Sequence, residues 1–303
     1  MADLRVNFAG VEFKNPVITA SGTFGFGREY SEYFDLSDIG GICVKGLTPL
    51  PRLGNPAPRI AETTGGMLNS VGLQNPGVDE FIRAELPFLR RFDTRVIANL
   101  SAESVEDFGI AAEKLSDANV DMIEVNVSCP NVKNGGIQFG TDPKAIAAVT
   151  AEVRRRSKVP VMVKLSPNVT DIAEMARAAE GAGANAVSLI NTLLGMRIDI
   201  NTRRPMLANN TGGLSGAAIL PVAIRMVWQV HNAVKIPILG MGGIFTGEDA
   251  VEMMLAGASL VSVGTASFTY PDAAIRVRDG LSKYLDTKKI ATAAELSGTV
   301  RVF

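Results

Sequence analysis

Short apolar runs rich in β-branched residues recur along the chain, at Val17–Ala20, Gly41–Gly46, Val96–Leu100, Met122–Val127, Val161–Leu165, Ala186–Ile190, Ile236–Gly240 and Leu260–Gly264. Each reads as a buried strand. Most are separated by Ala-, Glu- and Arg-rich stretches of helical periodicity, among them Ser104–Ala118, Pro143–Arg156, Asp171–Ala182, Ala217–Val230 and Gly247–Ala256. Near-continuous apolar strands alternating with helices predict a parallel sheet covered on its outer face. Eight such units without a break in composition predict an α/β fold, a closed (β/α)8 TIM barrel spanning residues 1–303 as one domain, in preference to an open doubly wound sheet. Ahead of the first strand, Leu4–Phe13 reads as an N-terminal β-hairpin turning at Ala9-Gly10, a plug for the barrel floor.

The connectors set the polarity of the barrel. Those entering strands are terse (Lys158-Val-Pro, Gly183-Ala-Asn, Lys235-Ile-Pro, Gly257-Ala-Ser), whereas several leaving them are long and rich in Gly, Asn and Pro. The C-terminal face is therefore the elaborated one, and that is where barrel active sites sit. The exit loops after the second, fourth and sixth strands, roughly Thr48–Phe81, Pro130–Gly140 and Asn191–Leu220, are the places to search. Arg154-Arg155-Arg156 reads as a helix C-terminus favoured by the macrodipole.

Composition narrows the chemistry. One histidine, His231, cannot build a multi-histidine metal site, and two cysteines, Cys43 and Cys129, cannot ligate a zinc ribbon or an iron–sulfur cluster. Redox chemistry on this chain therefore needs a borrowed cofactor. With 30 Lys+Arg against 31 Asp+Glu there is no electrostatic footprint for nucleic acid or an anionic membrane. The start of the chain lacks the basic-then-apolar pattern of a signal peptide, and the uncharged run Met253–Pro271 is interrupted by glycines, so the expectation is a cytoplasmic protein.

The strand ends carry polar residues where a core would not. Lys45 shares a strand face with Cys43, Asn126 with Glu124 and Lys164 with Met162, and Asn99 and Asn191-Thr192 end two further strands. Burying two lysines and several amides in an apolar mouth is costly without partners. One reading is a satisfied network, such as Glu124 pairing with Lys164; taken together the residues read as a site for a polar, ring-shaped ligand. Gly242-Gly243 and Gly264-Thr265 follow the seventh and eighth strands, where barrels bind phosphate through exposed N–H groups. Tight turns also need glycine, and it is the position in the series that favours phosphate.

The most informative stretch is Asn126-Val127-Ser128-Cys129-Pro130-Asn131-Val132-Lys133-Asn134-Gly135-Gly136, a strand end running into a glycine-rich loop with a cysteine at its mouth. A packing role suits Cys43. A catalytic role suits Cys129, with the flanking glycines letting the loop close over substrate.

At these residues a resemblance becomes specific. Pro16-Val-Ile-Thr-Ala-Ser-Gly-Thr-Phe-Gly, Val44-Lys45-Gly46, Asn69-Ser-Val-Gly-Leu-Gln-Asn-Pro, Asn126-Val-Ser-Cys-Pro-Asn, Val163-Lys164-Leu165-Ser166-Pro167, Ile190-Asn191-Thr192, Gly213-Leu-Ser-Gly216 and Gly240-Met-Gly-Gly243 resemble the class 1 dihydroorotate dehydrogenases, in order along the whole chain. The Ala-Ser-Gly-Thr-Phe-Gly opening and the Asn-Val-Ser-Cys-Pro-Asn-Val-Lys-x-Gly-Gly form are most similar to the 1B subfamily.

That resemblance implies oxidation of dihydroorotate to orotate in pyrimidine biosynthesis, with FMN taking a hydride from C6 and Cys129 removing the C5 proton. With a reference thiol pKa of ~8.5, it also implies activity rising toward alkaline pH. By family position, Lys45, Asn69, Ser70, Val71, Gly72, Leu73, Asn126, Asn191 and Thr192 would surround the substrate, with Lys45 compensating its carboxylate. Ser21, Lys45, Gly46, Asn99, Asn126, Ile190 and Gly216 would contact FMN, with Lys164 facing the flavin edge where charge accumulates on reduction and Gly242, Gly243, Gly264 and Thr265 taking the phosphate. The 1B type further implies a partner subunit carrying FAD and a [2Fe–2S] cluster, electron delivery to NAD, and a dimer within a heterotetramer. The cysteine poverty agrees, since this chain lacks the ligands for a cluster.

The rivals are a class 1A homodimer using fumarate, a dihydropyrimidine dehydrogenase-like enzyme, a flavin-free phosphate-binding isomerase or lyase, and a non-catalytic scaffold subunit. The dihydropyrimidine type typically continues with His after Cys-Pro, where this chain has Asn131. The isomerases and lyases usually commit carboxylates or a Schiff-base lysine. Met196–Ile200 and Met206-Leu207 in the sixth exit loop read either as a subunit contact or as packing over the barrel.

Overall fold

Eight short strands pair edge to edge, each with its successor in the chain: β1 (Val17–Thr19), β2 (Gly41–Cys43), β3 (Arg95–Leu100), β4 (Met122–Asn126), β5 (Val161–Lys164), β6 (Ala186–Leu189), β7 (Ile238–Met241) and β8 (Leu260–Val263). Pairing of β8 with β1, through Val261 opposite Val17, closes the ring. The computed structural model describes residues 2–127 and 139–303. Every strand is the one its apolar run predicts. They tolerate being apolar on both faces because helices cover the outside and the strands' own inward side chains fill the inside.

Below the barrel, Val6–Phe8 pairs antiparallel with Val11–Phe13. The turn places Ala9 and Gly10 at φ 53° and 86°, the two left-handed positions of a tight hairpin whose twist matches its strands. Phe8 and Phe13 are buried and meet edge to face at 6.3 Å. Phe13 also packs on Gly41 at the start of β2, where a Cβ would stand 3.1 Å from its ring. The hairpin therefore closes the N-terminal end, as the plug expectation required.

Four of the covering helices begin where short polar side chains satisfy free N–H groups. Ser104, Asp142 and Asp171 cap Val105–Asp117, Pro143–Arg156 and Ile172–Gly181, and Thr246 with Asp249 forms a reciprocal capping box for Gly247–Leu255. Leu220–His231 and Ala273–Lys288 complete the later units. At the end of Pro143–Arg156, Arg155 and Arg156 both bind Glu152, so this arginine run is held by a carboxylate as well as by the helix end.

The first crossover departs from the repeating pattern. Between β1 and β2 only two 3-10 turns form, Tyr30–Glu32 and Leu36–Asp38. Gly22, Gly25 and Gly27 all take positive φ, which a regular helix excludes. Phe24 stacked on Tyr30 at 4.0 Å packs there instead.

Above the barrel, the second and sixth exit loops join in a four-stranded antiparallel sheet ordered Leu193–Gly195, Gly212–Ser215, Gly66–Asn69, Ile60–Thr63. Leu207 packs with Ala61 and Leu68 beneath it, whereas Met196, Ile198 and Ile200 are exposed. The two apolar segments of the sixth loop thus divide, one packing and the other facing outward.

Candidate active site at the C-terminal mouth of the barrel

Parallel register decides which side chains share the barrel interior. Cys43 lies opposite Ile97, Asn99 opposite Glu124, Asn126 opposite Lys164, and Lys164 opposite Ser188. The polar residues of successive strands therefore form rising inward layers, as alternation from the strand ends predicts.

Glu124 is fully buried at the centre of the lower layer. Its Oε1 accepts from Ser188 Oγ at 2.7 Å, and its Oε2 accepts from Asn99 Nδ2 and from the Cys43 thiol at 3.2 Å. The Lys164 ammonium stands 3.8 Å from the same Oε2, with its side chain 6% exposed. Burial, and then the negative charge of Glu124, push the Cys43 thiol well above its ordinary pKa, so it stays a neutral donor. Asn126 Nδ2 donates in turn to Asn99 Oδ1 at 3.5 Å. Sequence reading anticipates the Glu124–Lys164 pair and a packed Cys43; it misses Ser188 and the thiol as donors.

Above this network lies a cavity of about 410 Å3, within the range of small-molecule sites. Its wall brings together Ser21, Lys45, Gly46, Asn69, Val71, Gly72, Leu73, Asn99, Asn126 and Lys164 from the first half of the chain. From the second half come Ile190, Asn191, Thr192, Gly216, Gly242, Gly243, Gly264 and Thr265. Ser70 is the exception among the described site residues: it is buried behind the wall, its N–H donating to Arg59 O and its C=O accepting from Asn55 Nδ2. Cys129 lies outside the described residues. A larger cavity of about 830 Å3 adjoins, sharing Gly22, Lys45 and Val71 and lined by Arg28, Glu29, Arg52 and Glu85. The smaller one is the candidate site, because the inward polar layer opens into it.

Local hydrogen bonds hold the wall in place. Asn75 is buried and its amide bonds Thr48, Gly77 and Leu73, fixing the turn in which Gly72 and Leu73 take φ 76° and 56°. Asn168, which sequence reading passes over, donates to Thr192 O at 3.1 Å and accepts from Leu194 N–H at 2.9 Å. Its signal was the Ser-Pro-Asn turn directly after β5. At Gly213 a Cβ would fall 2.0 Å from Thr192 Oγ1, so only glycine lets the sixth loop return past Thr192.

The glycine sites differ in character. Gly242 and Gly243 take φ 119° and 83°, and a Cβ on Gly243 would meet Leu220 at 2.6 Å. Gly264 has ordinary φ and more space, with Ala20 Cβ at 3.3 Å. Thr265 Oγ1 donates to Ser215 Oγ at 2.8 Å. Ser262 Oγ, also on the cavity wall, is buried without a protein partner. Such a hydroxyl beside exposed glycine backbone suits an oxygen-rich ligand group.

A closed barrel whose C-terminal mouth gathers ammonium groups, amides and glycine backbone around one cavity has the architecture of a barrel enzyme, with its candidate site where such enzymes bind their ligands. The comparisons are more specific. The chain belongs to the dihydroorotate dehydrogenase family, whose model, described as Dihydroorotate dehydrogenase, matches residues 3–285. It is 58% identical over 298 residues to the "Dihydroorotate dehydrogenase B (NAD(+)), catalytic subunit" of Alkaliphilus metalliredigens, covering 98% of this chain and 99% of that one. It is 52% identical over 300 residues to the protein of the same name from Caldicellulosiruptor bescii, covering 99% and 100%. Among solved structures it resembles a DHODH from Eimeria tenella crystallised with ferulenol, with TM-score 0.83 and 22% identity over 98% of this chain and 88% of that chain, a likeness of fold.

Proposed function

We propose that this chain is the catalytic subunit of an NAD-linked dihydroorotate dehydrogenase, oxidising (S)-dihydroorotate to orotate in pyrimidine biosynthesis. The observation that carries the reading is the convergence of Lys45, Asn69, Asn126, Lys164, Asn191 and Thr192 on one cavity, in a chain so similar to relatives of that name.

The residues fit FMN. Gly242 and Gly243, with their positive φ, expose backbone suited to a phosphate, the unpartnered hydroxyl of Ser262 lies on the same wall, and Lys164 offers a cation. Gly264 and Thr265 would share the phosphate, and Ser21, Gly46, Asn99, Ile190 and Gly216 the remaining contacts. FMN held there would supply a two-electron oxidant for the hydride leaving C6. Lys45 neutralises the substrate carboxylate, while Asn69, Asn126, Asn191 and Thr192 offer the mixed donors and acceptors that a pyrimidine ring requires. Val71, Gly72 and Leu73 would shape the wall around it. Cys129 removes the C5 proton, an assignment that rests on the sequence motif. Cys129→Ser should lower turnover by about 10²–10⁴-fold; near-parental turnover would defeat the assignment.

Electrons would leave through a partner subunit carrying FAD and a [2Fe–2S] cluster, as the likeness to relatives named catalytic subunits of an NAD(+)-linked enzyme implies; the two cysteines of this chain agree with a cluster held elsewhere. The working assembly is a dimer of this chain within a heterotetramer in the cytoplasm. Among the described residues no helix is long and apolar enough to cross a membrane.

The deciding experiment expresses this chain alone and with an iron–sulfur flavoprotein partner, and measures dihydroorotate oxidation with NAD, fumarate and an artificial dye. NAD reduction should require the partner, with dye reduction by the lone yellow chain. Full fumarate activity from the lone chain would overturn the NAD-linked reading.

A further inference from the structure

Glu124 has no place among the substrate or cofactor contacts, yet it is the fully buried carboxylate at the heart of the site. Among the described residues its polar partners are donors or cations: Ser188 Oγ, Asn99 Nδ2, the Cys43 thiol and the Lys164 ammonium. Four convergent donor ends make this carboxylate their common acceptor. The titratable groups facing this layer from the surrounding strands are Cys43, Glu124 and Lys164, with Lys45 on the cavity wall above.

We propose that Glu124 is a positioning residue that tunes the flavin through Lys164: it anchors the ammonium at the base of the cavity and offsets part of its charge. The proposal rests on the reading of the cavity as a flavin site. A lone buried lysine would present its full charge to a group gaining electrons. Paired with a carboxylate 3.8 Å away, it presents a weaker dipolar field. Asn99 takes part in the same arrangement, donating to Glu124 while accepting from Asn126 on the cavity wall. One carboxylate thus orients both the cation and the amide chain.

The test measures the flavin midpoint potential of holoprotein in a redox-dye titration at fixed pH for the parent, Glu124→Gln, Lys164→Gln and the double variant. Glu124→Gln should shift the potential positive, raising the reduced-to-oxidised ratio in a given redox buffer about tenfold. Lys164→Gln should shift it negative, and the double variant should return toward the parent. Glu124→Asp, which keeps the charge, should stay closer to the parent than Glu124→Gln. If Glu124→Gln does not fold, the double variant must still titrate positive of Lys164→Gln. A carboxylate serving only as packing leaves Glu124→Gln at the parental potential, or shifts it negative as Lys164 drifts; either result overturns the inference and leaves the flavin reading intact. A parent protein that binds no flavin overturns both.

Discussion

The side-chain amide of Asn75 grips Thr48 from two directions, its Oδ1 accepting the Thr48 N–H at 3.1 Å and its Nδ2 donating to Thr48 Oγ1 at 2.7 Å. The same amide accepts from Gly77 N–H at 2.8 Å and donates to Leu73 O at 2.7 Å. It therefore ties the continuation of β2 to the turn that carries Val71–Leu73 on the cavity wall. Leu73 is held at φ 56°, a conformation that a side chain adopts at a cost of about 1–2 kcal/mol unless its surroundings impose it.

Asn75→Ala leaves several backbone groups without partners and should destabilise the fold by about 1–3 kcal/mol. Because the loosened turn lines the cavity proposed for substrate, KM for dihydroorotate should rise several-fold while bound flavin changes little. Denaturant unfolding and dye-linked kinetics check the two effects together. Parental values of both would show that the turn holds its shape without this clamp.

Gly243 and Gly264 predict opposite tolerances. Gly243 combines φ 83° with Leu220 atoms 2.6–2.7 Å from any Cβ, so Gly243→Ala must displace the start of Leu220–His231 or the backbone at the cavity wall. At Gly264 the nearest atom is 3.3 Å away and φ is ordinary. Gly243→Ala should lose flavin, with occupancy after gel filtration falling about tenfold, whereas Gly264→Ala should keep most of it. The ratio of flavin to protein absorbance decides. Equal retention would separate Gly243 from the phosphate.

At the other end of the barrel, Gly10 has φ 86° and open space around it, with no atom within 4 Å of where a Cβ would stand, so its substitution carries conformational cost alone. Gly10→Ala should lower stability by about 1 kcal/mol and leave dihydroorotate kinetics unchanged. A large kinetic effect would contradict the division of labour between a structural floor and a chemical mouth.

The barrel was legible because each strand is a short apolar run buried on both faces, a pattern that survives without knowledge of neighbours. The inward layer was legible for a related reason, since alternation alone puts Glu124 with Asn126 and Lys45 with Cys43. Alternation does not say what stands across the barrel, and so Ser188 and the Cys43 thiol went unrecognised as partners of Glu124. Ser70 was carried along with its motif, although its side chain is buried behind a wall that Asn69 and Val71 help to form.

The accessory sheet was hidden for another reason. Gly212–Ser215 has little intrinsic strand preference, and its pairing with Gly66–Asn69 is set by close backbone approach across a long stretch of chain. A Cβ at Gly212 would lie 2.6 Å from Asn69 O, a constraint visible only once both loops are in place. The missing first helix, by contrast, was written in Gly22, Gly25 and Gly27, whose combined effect on an exit loop is plain in retrospect.

Cys43 makes the last prediction, one of pH. Burial and the adjacent Glu124 raise its folded pKa well above the ordinary thiol value, whereas in the unfolded chain it ionises near ~8.5. Below that pH both states hold the proton and the thiol adds no pH dependence. Above it the unfolded state loses the proton and the folded state keeps it, so unfolding becomes easier as pH rises, by up to about 1.4 kcal/mol per pH unit. Comparing denaturant unfolding of the parent and Cys43→Ala from pH 7 to pH 10 isolates this slope, since other groups titrate alike in both. The parent should lose stability faster than the variant above pH ~8.5, whatever constant offset the lost packing introduces. Parallel curves would mean that the thiol ionises as readily inside the barrel as in water, and that its bond to Glu124 does not hold the proton.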